Sequence, residues 1–248
     1  MMDMPMNRKL KQYHELLLRP KKVSLFFCIA TAIVILAHFF HLFMYYGYHH
    51  YLGIIDLNRE QNIPTLYSAL LLLFCGGLLY VISIRKLRYN EKHRILWLIL
   101  CIIFVFLAFD EYFRIHDSLR EPVRDLLEIG KGSVFYFAWV LPYGILLIIF
   151  GAAYIGFLRD LPGNYRNLFF ISGVIYVTGA LVFEMLGATR AGLYPRSDYL
   201  YAFWTTMEEI LELVGLMIFI YTLMSYIAEF YNGTRLKIKG FSVRFLKD

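Results

Sequence analysis

Residues 204–215 read WTTMEEILELVG, and they open an apolar segment that continues to about residue 228. Such a segment is long enough to cross a bilayer as a helix, which takes about 20 residues. Its first turns carry three carboxylates, Glu208, Glu209 and Glu212. No Lys, Arg or His occurs between Asp198 and Arg235. Because charges at membrane depth are costly, a proton, a metal ion or a cation from another helix must neutralise these acids.

The whole chain has the same apolar character. Of its 248 residues, 59% are hydrophobic and 18% are charged, a balance that argues against a soluble globule. Six segments approach the length of a membrane span: 23–46, 65–84, 94–115, 134–157, 167–187 and 204–228. A barrel would show short alternating segments instead. We therefore predict an all-α fold, a polytopic membrane helix bundle with about six transmembrane helices.

The basic residues predict how this bundle is oriented, because cytoplasmic loops carry an excess of Lys and Arg. Eighteen of the 25 Lys and Arg residues lie in the two tails and in the loops at 85–94 and 158–166, and seven lie in the other three loops. We therefore predict that both termini are cytoplasmic. The predicted organisation is a basic tail over residues 1–22, a transmembrane domain over 23–229 and a second basic tail over 230–248.

The outer region that follows the third span contains its own helix signals. Ser118 with Glu121 and Pro122 is typical of a helix start, and Gly130 is typical of a helix end. The stretch between them alternates between apolar and charged residues. This pattern predicts a short interfacial helix in that outer region.

The charge balance indicates the expected partners. The net charge of +6 comes from the basic tails and loops, and it favours contact with anionic lipid headgroups. We therefore expect a multi-pass integral protein of the cell or plasma membrane, with membrane lipids as partners and no nucleic acid. Assembly into a homo-oligomer stays open.

Ionisable residues of four spans fall at one depth. At a rise of about 1.5 Å per residue from the inner end of each span, His38, Asp110, Glu184 and Glu212 lie roughly 22 to 25 Å up, in a core about 30 Å thick. The inner half of the spans carries almost no such residue. The sequence therefore predicts a polar pocket in the outer leaflet.

Spacing indicates which side chains act together. His38 and His41 are three residues apart and share a helix face, and Glu208 and Glu212 share one at four residues, so each pair can hold one cation or share one proton. Mixed histidine and carboxylate donors suit a divalent ion such as zinc, iron or manganese better than calcium. The predicted metal ligands are His38, His41, Glu184 and Glu212, and the predicted catalytic bases are Asp110, Glu111 and Glu208.

These residues lead to one main hypothesis and two alternatives. The main hypothesis is a metal-dependent membrane hydrolase or oxidoreductase that acts on a lipid or other amphiphile. The alternatives are a cation- or proton-coupled transporter or channel, and a membrane sensor or assembly subunit whose polar layer only joins helices. Bound metal would favour the enzyme, whereas a transporter should carry polar groups into the inner half. The spacing matches neither the Glu-x-x-His pairs of di-iron bundles nor the His-Glu-x-x-His of zinc proteases.

Overall fold

The computed structural model describes residues 14–195, 197–231, 235–238 and 241–246. Within this part of the chain, six helices are long and apolar enough to cross a membrane. They are Pro20–Tyr48, Ile63–Arg88, Arg94–Phe113, Val140–Asp160, Gly163–Arg190 and Tyr199–Phe230. This confirms the predicted helical bundle of six spans. The lengths and the apolar composition of these helices are those of an integral membrane protein.

The helices are numbered in chain order. They are α1 (Pro20–Tyr48), α2 (Ile63–Arg88), α3 (Arg94–Phe113), α4 (Arg120–Leu126), α5 (Val140–Asp160), α6 (Gly163–Val177), α7 (Glu184–Arg190) and α8 (Tyr199–Phe230). A π-helical turn, Thr178–Phe183, joins α6 to α7, so these two helices form the continuous fifth span. Turns of 3₁₀ helix occur at Gly53–Ile55 and His116–Leu119.

Local sequence explains where several helices begin and end. The Asn62 side chain accepts a hydrogen bond from the Thr65 N–H and caps α2, and Asp198 caps α8 in the same way through the Tyr201 N–H. The fourth span begins at Val140, later than the predicted residue 134. The residues before it instead form turns, with Phe135 N–H donating to the Ser133 hydroxyl. A side chain that bonds the nearby backbone in this way competes with helix formation.

The segment after the third span contains the short helix α4, which follows the 3₁₀ turn His116–Leu119. The helix ends at Leu126, whose side chain is 80% exposed. Its placement in the membrane interface stays a prediction.

Three short strands accompany the helices, and the sequence analysis did not predict them. They are β1 (His14–Leu18), β2 (Arg235–Ile238) and β3 (Phe241–Phe245), in the order β1-β3-β2. The strand β1 pairs with β3 in parallel, and β2 pairs with β3 antiparallel. This pairing places the first and last strands at the same end of the bundle, here called the sheet end. That the sheet end is cytoplasmic stays a prediction.

Close approach of α8 to the fifth span organises the centre of the bundle. A Cβ atom on Gly179 would lie 2.7 Å from the Glu208 carbonyl oxygen, and one on Gly215 would lie 2.9 Å from the Tyr176 nitrogen. Only glycine permits such contact between helix backbones. The two glycines therefore set the position of α8, and with it the direction of its carboxylates.

Candidate functional site

A large cavity lies between α3, α5, the fifth span and α8, and its volume is about 1620 Å³. At the end of the bundle opposite the sheet, five glutamates from three spans line it. We call them the acidic cluster: Glu111, Glu184, Glu208, Glu209 and Glu212. The predicted polar pocket thus corresponds to a real concavity that carboxylates from different helices share.

The carboxylates of the acidic cluster face one another. Glu208 lies against Glu184, while Glu209 and Glu212 lie near Glu111 on the opposite wall. The Tyr176 hydroxyl lies against Glu212. Four of the five side chains are half-buried because they line the cavity, and only Glu184 is fully buried. The arrangement concentrates five carboxyl groups in one site, and each of them that is ionised attracts a cation.

Glu184 is the member of the cluster that has its own cation. Its Oε1 accepts hydrogen bonds from Arg120 Nη2 and from Trp139 Nε1, each at 2.9 Å. The Arg120 guanidinium also lies over the Phe137 ring, 3.9 Å from its centroid. Within the described residues, no Lys, Arg or His forms an ion pair with the other four glutamates. Among the residues that the structure describes, Glu184 is thus the acid of the cluster that forms an ion pair with a cation from another element.

Asp110 and His116 form a tightly held pair beside the cluster. Asp110 is buried, and its Oδ1 accepts from the His116 backbone N–H at 2.6 Å and from Nδ1 at 3.2 Å. Its Oδ2 accepts from the Tyr143 hydroxyl at 3.1 Å. Burial alone would lower the pKa of His116, but the hydrogen bond and charge of Asp110, with the charges of Asp117 and Glu184, raise that pKa overall.

His116 also belongs to a group of side chains that can hold a metal ion. One ligand atom each from Glu60, His116 and Asp117 lies within 4.8 Å of the others, and within the described residues this is the group that meets that criterion. His116 Nδ1 faces Asp110. The other ring nitrogen, Nε2, therefore faces Asp117 and lies 3.6 Å from Asp117 Oδ1. A ligating histidine is commonly held through its other nitrogen by a carboxylate in this way.

Two arginines already contact this group. Arg114 pairs with both Glu60 and Asp117, and Arg120 Nε lies 2.5 Å from Asp117 Oδ1. Both arginines also line a second pocket of about 650 Å³, which α4 borders. Because Arg114 and Arg120 line both concavities, their ion pairs lie between the second pocket and the main cavity. A metal ion bound by Glu60 and Asp117 would have to displace the Arg114 guanidinium.

The predicted ligands His38 and His41 are not part of the Glu60 group, although His41 lines the main cavity. His38 Nδ1 accepts from the Leu57 N–H at 3.0 Å, and Nε2 donates to the Thr206 hydroxyl at 2.9 Å, so both ring nitrogens are occupied. His41 Nδ1 accepts from the Leu52 N–H at 3.2 Å. Asp56 lies 3.5 Å from each histidine. These side chains hold the loop after α1 against α8.

The four predicted ligands are consequently not brought to one point. The ligand atoms of Glu60, His116 and Asp117 lie within 4.8 Å of one another, and no three of His38, His41, Glu184 and Glu212 meet this criterion. The predicted bases Asp110, Glu111 and Glu208 all line the cavity. Their roles in catalysis stay predictions.

Sequence reasoning missed several residues of the site. Glu60 and Asp117 lie in connecting segments, where no periodicity indicates a neighbour. The signal that was available is the stripe of Asp110, Arg114 and Asp117 at helical spacing. The chain leaves α3 at Phe113 and turns at Arg114, whose φ of 58° is left-handed, so these residues form a cluster and not a helix face.

Comparison with known proteins places this site within a family. A family model described as "Domain of unknown function (DUF8692)" matches residues 26–227. The chain belongs to this family. The matched range includes all six spans almost completely, with every site residue described above. None of the curated proteins matches the chain, and none of the solved structures does.

The cavity continues from the acidic cluster toward the sheet end as an apolar limb. Aliphatic and aromatic side chains of four helices line this limb. They include Ile103, Phe104, Phe150, Phe157, Phe169 and Leu216. One cavity thus has an acidic end and a hydrocarbon-like end.

Proposed function

We propose that this protein is a metal-dependent membrane enzyme that acts on a lipid or other amphiphile. One observation carries the proposal, namely that a single cavity joins the acidic cluster to the apolar limb within the membrane-spanning helices. Ligand sites are typically concave, mainly apolar and supplied with a few convergent polar groups. A substrate with one polar end and one hydrocarbon end matches this distribution.

The proposed metal ligands are Glu60, His116 and Asp117. Their donors are one imidazole nitrogen and carboxylate oxygens, a set that suits zinc, iron or manganese. An ion held there would polarise a carbonyl or phosphoryl oxygen and lower the pKa of a bound water molecule. The sequence-based ligands Glu184 and Glu212 remain candidates for a second cation in the adjoining acidic cluster.

Residues of the chain itself would prepare the reaction. Asp110 fixes the His116 ring through Nδ1, so that Nε2 faces the ligand group. Glu111 and Glu208 are the proposed general bases, because they line the cavity and no ion pair occupies them within the described residues. Arg120 compensates the charge of Glu184 and thereby limits the excess of negative charge.

The shape of the cavity favours an enzyme over a transporter. The described residues that line the apolar limb toward the sheet end carry no ionisable carboxylate, amine or guanidinium group. Ion pathways through membranes are normally lined by such groups or by water-filled polar cavities. The limb therefore suits a hydrocarbon chain better than a moving ion.

Elemental analysis tests the proposal. Protein purified in detergent and dialysed against zinc, iron(II) or manganese should retain one of these metals, as measured by plasma mass spectrometry. Glu60→Gln, His116→Gln and Asp117→Asn should each lower metal affinity by about tenfold or more, since each removes one donor.

Glu121→Gln is the matched control, because the Glu121 side chain is 81% exposed on α4 and lies outside the ligand group. It should keep the metal content of the parent. Parent protein that retains none of the three metals, or ligand variants that retain as much as the control, would overturn the proposal.

A further inference from the structure

Two tyrosines attach α5 to α3 at two separate levels. The Tyr143 hydroxyl donates to Asp110 Oδ2 at 3.1 Å near the acidic cluster, and the Tyr154 hydroxyl donates to the Leu96 carbonyl oxygen at 2.7 Å near the sheet end. Leu96 and Asp110 are 14 residues apart on α3, which corresponds to about 21 Å at a rise of about 1.5 Å per residue. Between these levels α5 does not pack closely along α3, and its packing on α6 is slight.

The middle of α5 therefore borders openings in the side of the bundle. Several residues there line the cavity and are strongly exposed. On α3 and α5 they are Ile99, Phe106, Leu146 and Ile149, and on α6 they are Phe170 and Val174. Because α5 packs closely on neither α3 nor α6, the wall of the cavity is incomplete beside these residues, and the cavity connects there with the outside of the bundle. At this depth the surroundings of a membrane-spanning bundle are lipid chains.

The carboxyl groups at the acidic end of the cavity favour one class of headgroup. Five glutamates form the acidic cluster, and Arg120 pairs with one of them. A carboxyl oxygen accepts a hydrogen bond from an amine or a hydroxyl group in either protonation state, whereas every carboxylate that is ionised there repels an anionic headgroup.

We infer that a membrane lipid enters sideways past the middle of α5, with its hydrocarbon chain in the apolar limb and an amine- or hydroxyl-bearing head at the acidic cluster. The inference rests on the proposed function, in that it takes this cavity as the substrate site. It adds the substrate class and the route of entry. It does not depend on whether a metal is bound.

Two glycines allow the limb to be filled without disturbing the helices. Gly151 on α5 and Gly173 on α6 both line the cavity, and a Cβ atom on either would meet no atom within 4 Å. Gly156 on α5 offers the same open space, but it does not line the cavity. Gly151→Phe and Gly173→Phe should therefore obstruct the limb, and Gly156→Phe is the matched control.

Photo-crosslinking in lipid nanodiscs tests the inference. The probes are single-chain alkyl amine, alcohol and carboxylate compounds, each with a diazirine in the middle of the chain. We expect saturable labelling of limb residues Ile103 and Phe150 by the amine and the alcohol, in excess of labelling at Ile148, which is 74% exposed and lies outside the cavity. The carboxylate should label the limb less.

Both filling variants should lower labelling of the limb by about tenfold, because the added ring competes with the chain for space, while Gly156→Phe should leave it unchanged. Limb labelling that does not saturate, or that both filling variants leave intact, would overturn the inference. Equal or stronger labelling by the carboxylate probe would overturn the inference that the lipid headgroup carries an amine or a hydroxyl group. Metal content measured on the same samples keeps failure of the proposed enzyme chemistry distinct from failure of lipid entry.

Discussion

Asp110 Oδ1 accepts two hydrogen bonds from His116, one from the backbone N–H at 2.6 Å and one from the ring Nδ1 at 3.2 Å. The first fixes the turn that follows α3, and the second fixes the orientation of the ring. One carboxylate oxygen thus determines both where His116 lies and which nitrogen it presents. The Trp139 ring, with its centroid 4.7 Å from that of the imidazole, limits the remaining movement.

Replacing Asp110 tests this positioning role. Asp110→Asn should weaken metal binding by about 10- to 100-fold, the usual effect of losing a carboxylate that orients a ligating histidine. The three ligands would still be present. Isothermal titration of the metal-free protein with zinc measures the change. Tyr143→Phe, which removes only the hydrogen bond to Oδ2, should have a smaller effect; an equal loss in both variants would contradict the role assigned to the histidine contact.

Replacing Arg114 should change the metal affinity in the opposite direction. Its guanidinium pairs with both Glu60 and Asp117 and therefore occupies the place where a cation would bind. Arg114→Gln should strengthen metal binding by about tenfold, because a competing positive charge is removed from between two carboxylates. Arg124→Gln is the control, since Arg124 lies near Glu121 and Asp125 and does not contact the ligand group. Weaker metal binding in Arg114→Gln would place the ion elsewhere.

The six spans could be predicted because hydropathy over about 20 residues reports directly on membrane crossing. A common level for Glu184 and Glu212 could also be predicted from the sequence, since the rise of a helix is nearly constant. Both residues line the same cavity, as their common depth suggests. Helix geometry was therefore sufficient to predict that acids from different spans lie in one layer.

The partners within that layer could not be predicted in the same way. His38 bonds Thr206 on α8, but the partner of its Nδ1 is the Leu57 N–H in an irregular loop, which has no repeating pattern. The strands β1 and β3 are separated by nearly the whole sequence, and pairing between such distant segments leaves no local sequence signal. Asp117, which looks like a surface residue in the sequence, lies in the ligand group because the chain turns at Arg114.

The glycines between α8 and the fifth span should be needed for stability. In Gly215→Ala, the new Cβ would lie 2.9 Å from the Tyr176 nitrogen and 3.0 Å from the Ser172 carbonyl oxygen, and backbone atoms cannot rotate away. We expect a loss of about 1–3 kcal/mol and a lower unfolding temperature in detergent. Gly144→Ala is the control, because a Cβ there meets no atom within 4 Å. Equal unfolding temperatures for both variants would contradict the close approach.

The ion pair between Arg120 and Glu184 should couple the loop region to the acidic cluster. Arg120→Gln leaves the buried Glu184 carboxylate without its cation, and Glu184→Gln leaves the partly buried guanidinium with Asp117 as its ion-pair partner. Each single change should destabilise the protein, because it leaves one charge less compensated. The double variant should lose less than the sum of the two, with a coupling energy of about 1–3 kcal/mol.

Thermal or denaturant unfolding of the parent, both single variants and the double variant measures this coupling. A parallel cycle on Arg124 and Glu121 serves as the control, because those side chains lie 3.8 Å apart on α4 and the Glu121 side chain is 81% exposed. Exposed pairs of this kind contribute about 0.2–1 kcal/mol. If the Arg120 and Glu184 changes were additive, the guanidinium would not compensate the carboxylate, and the acidic cluster would have to obtain its positive charge wholly from a bound cation or from protons.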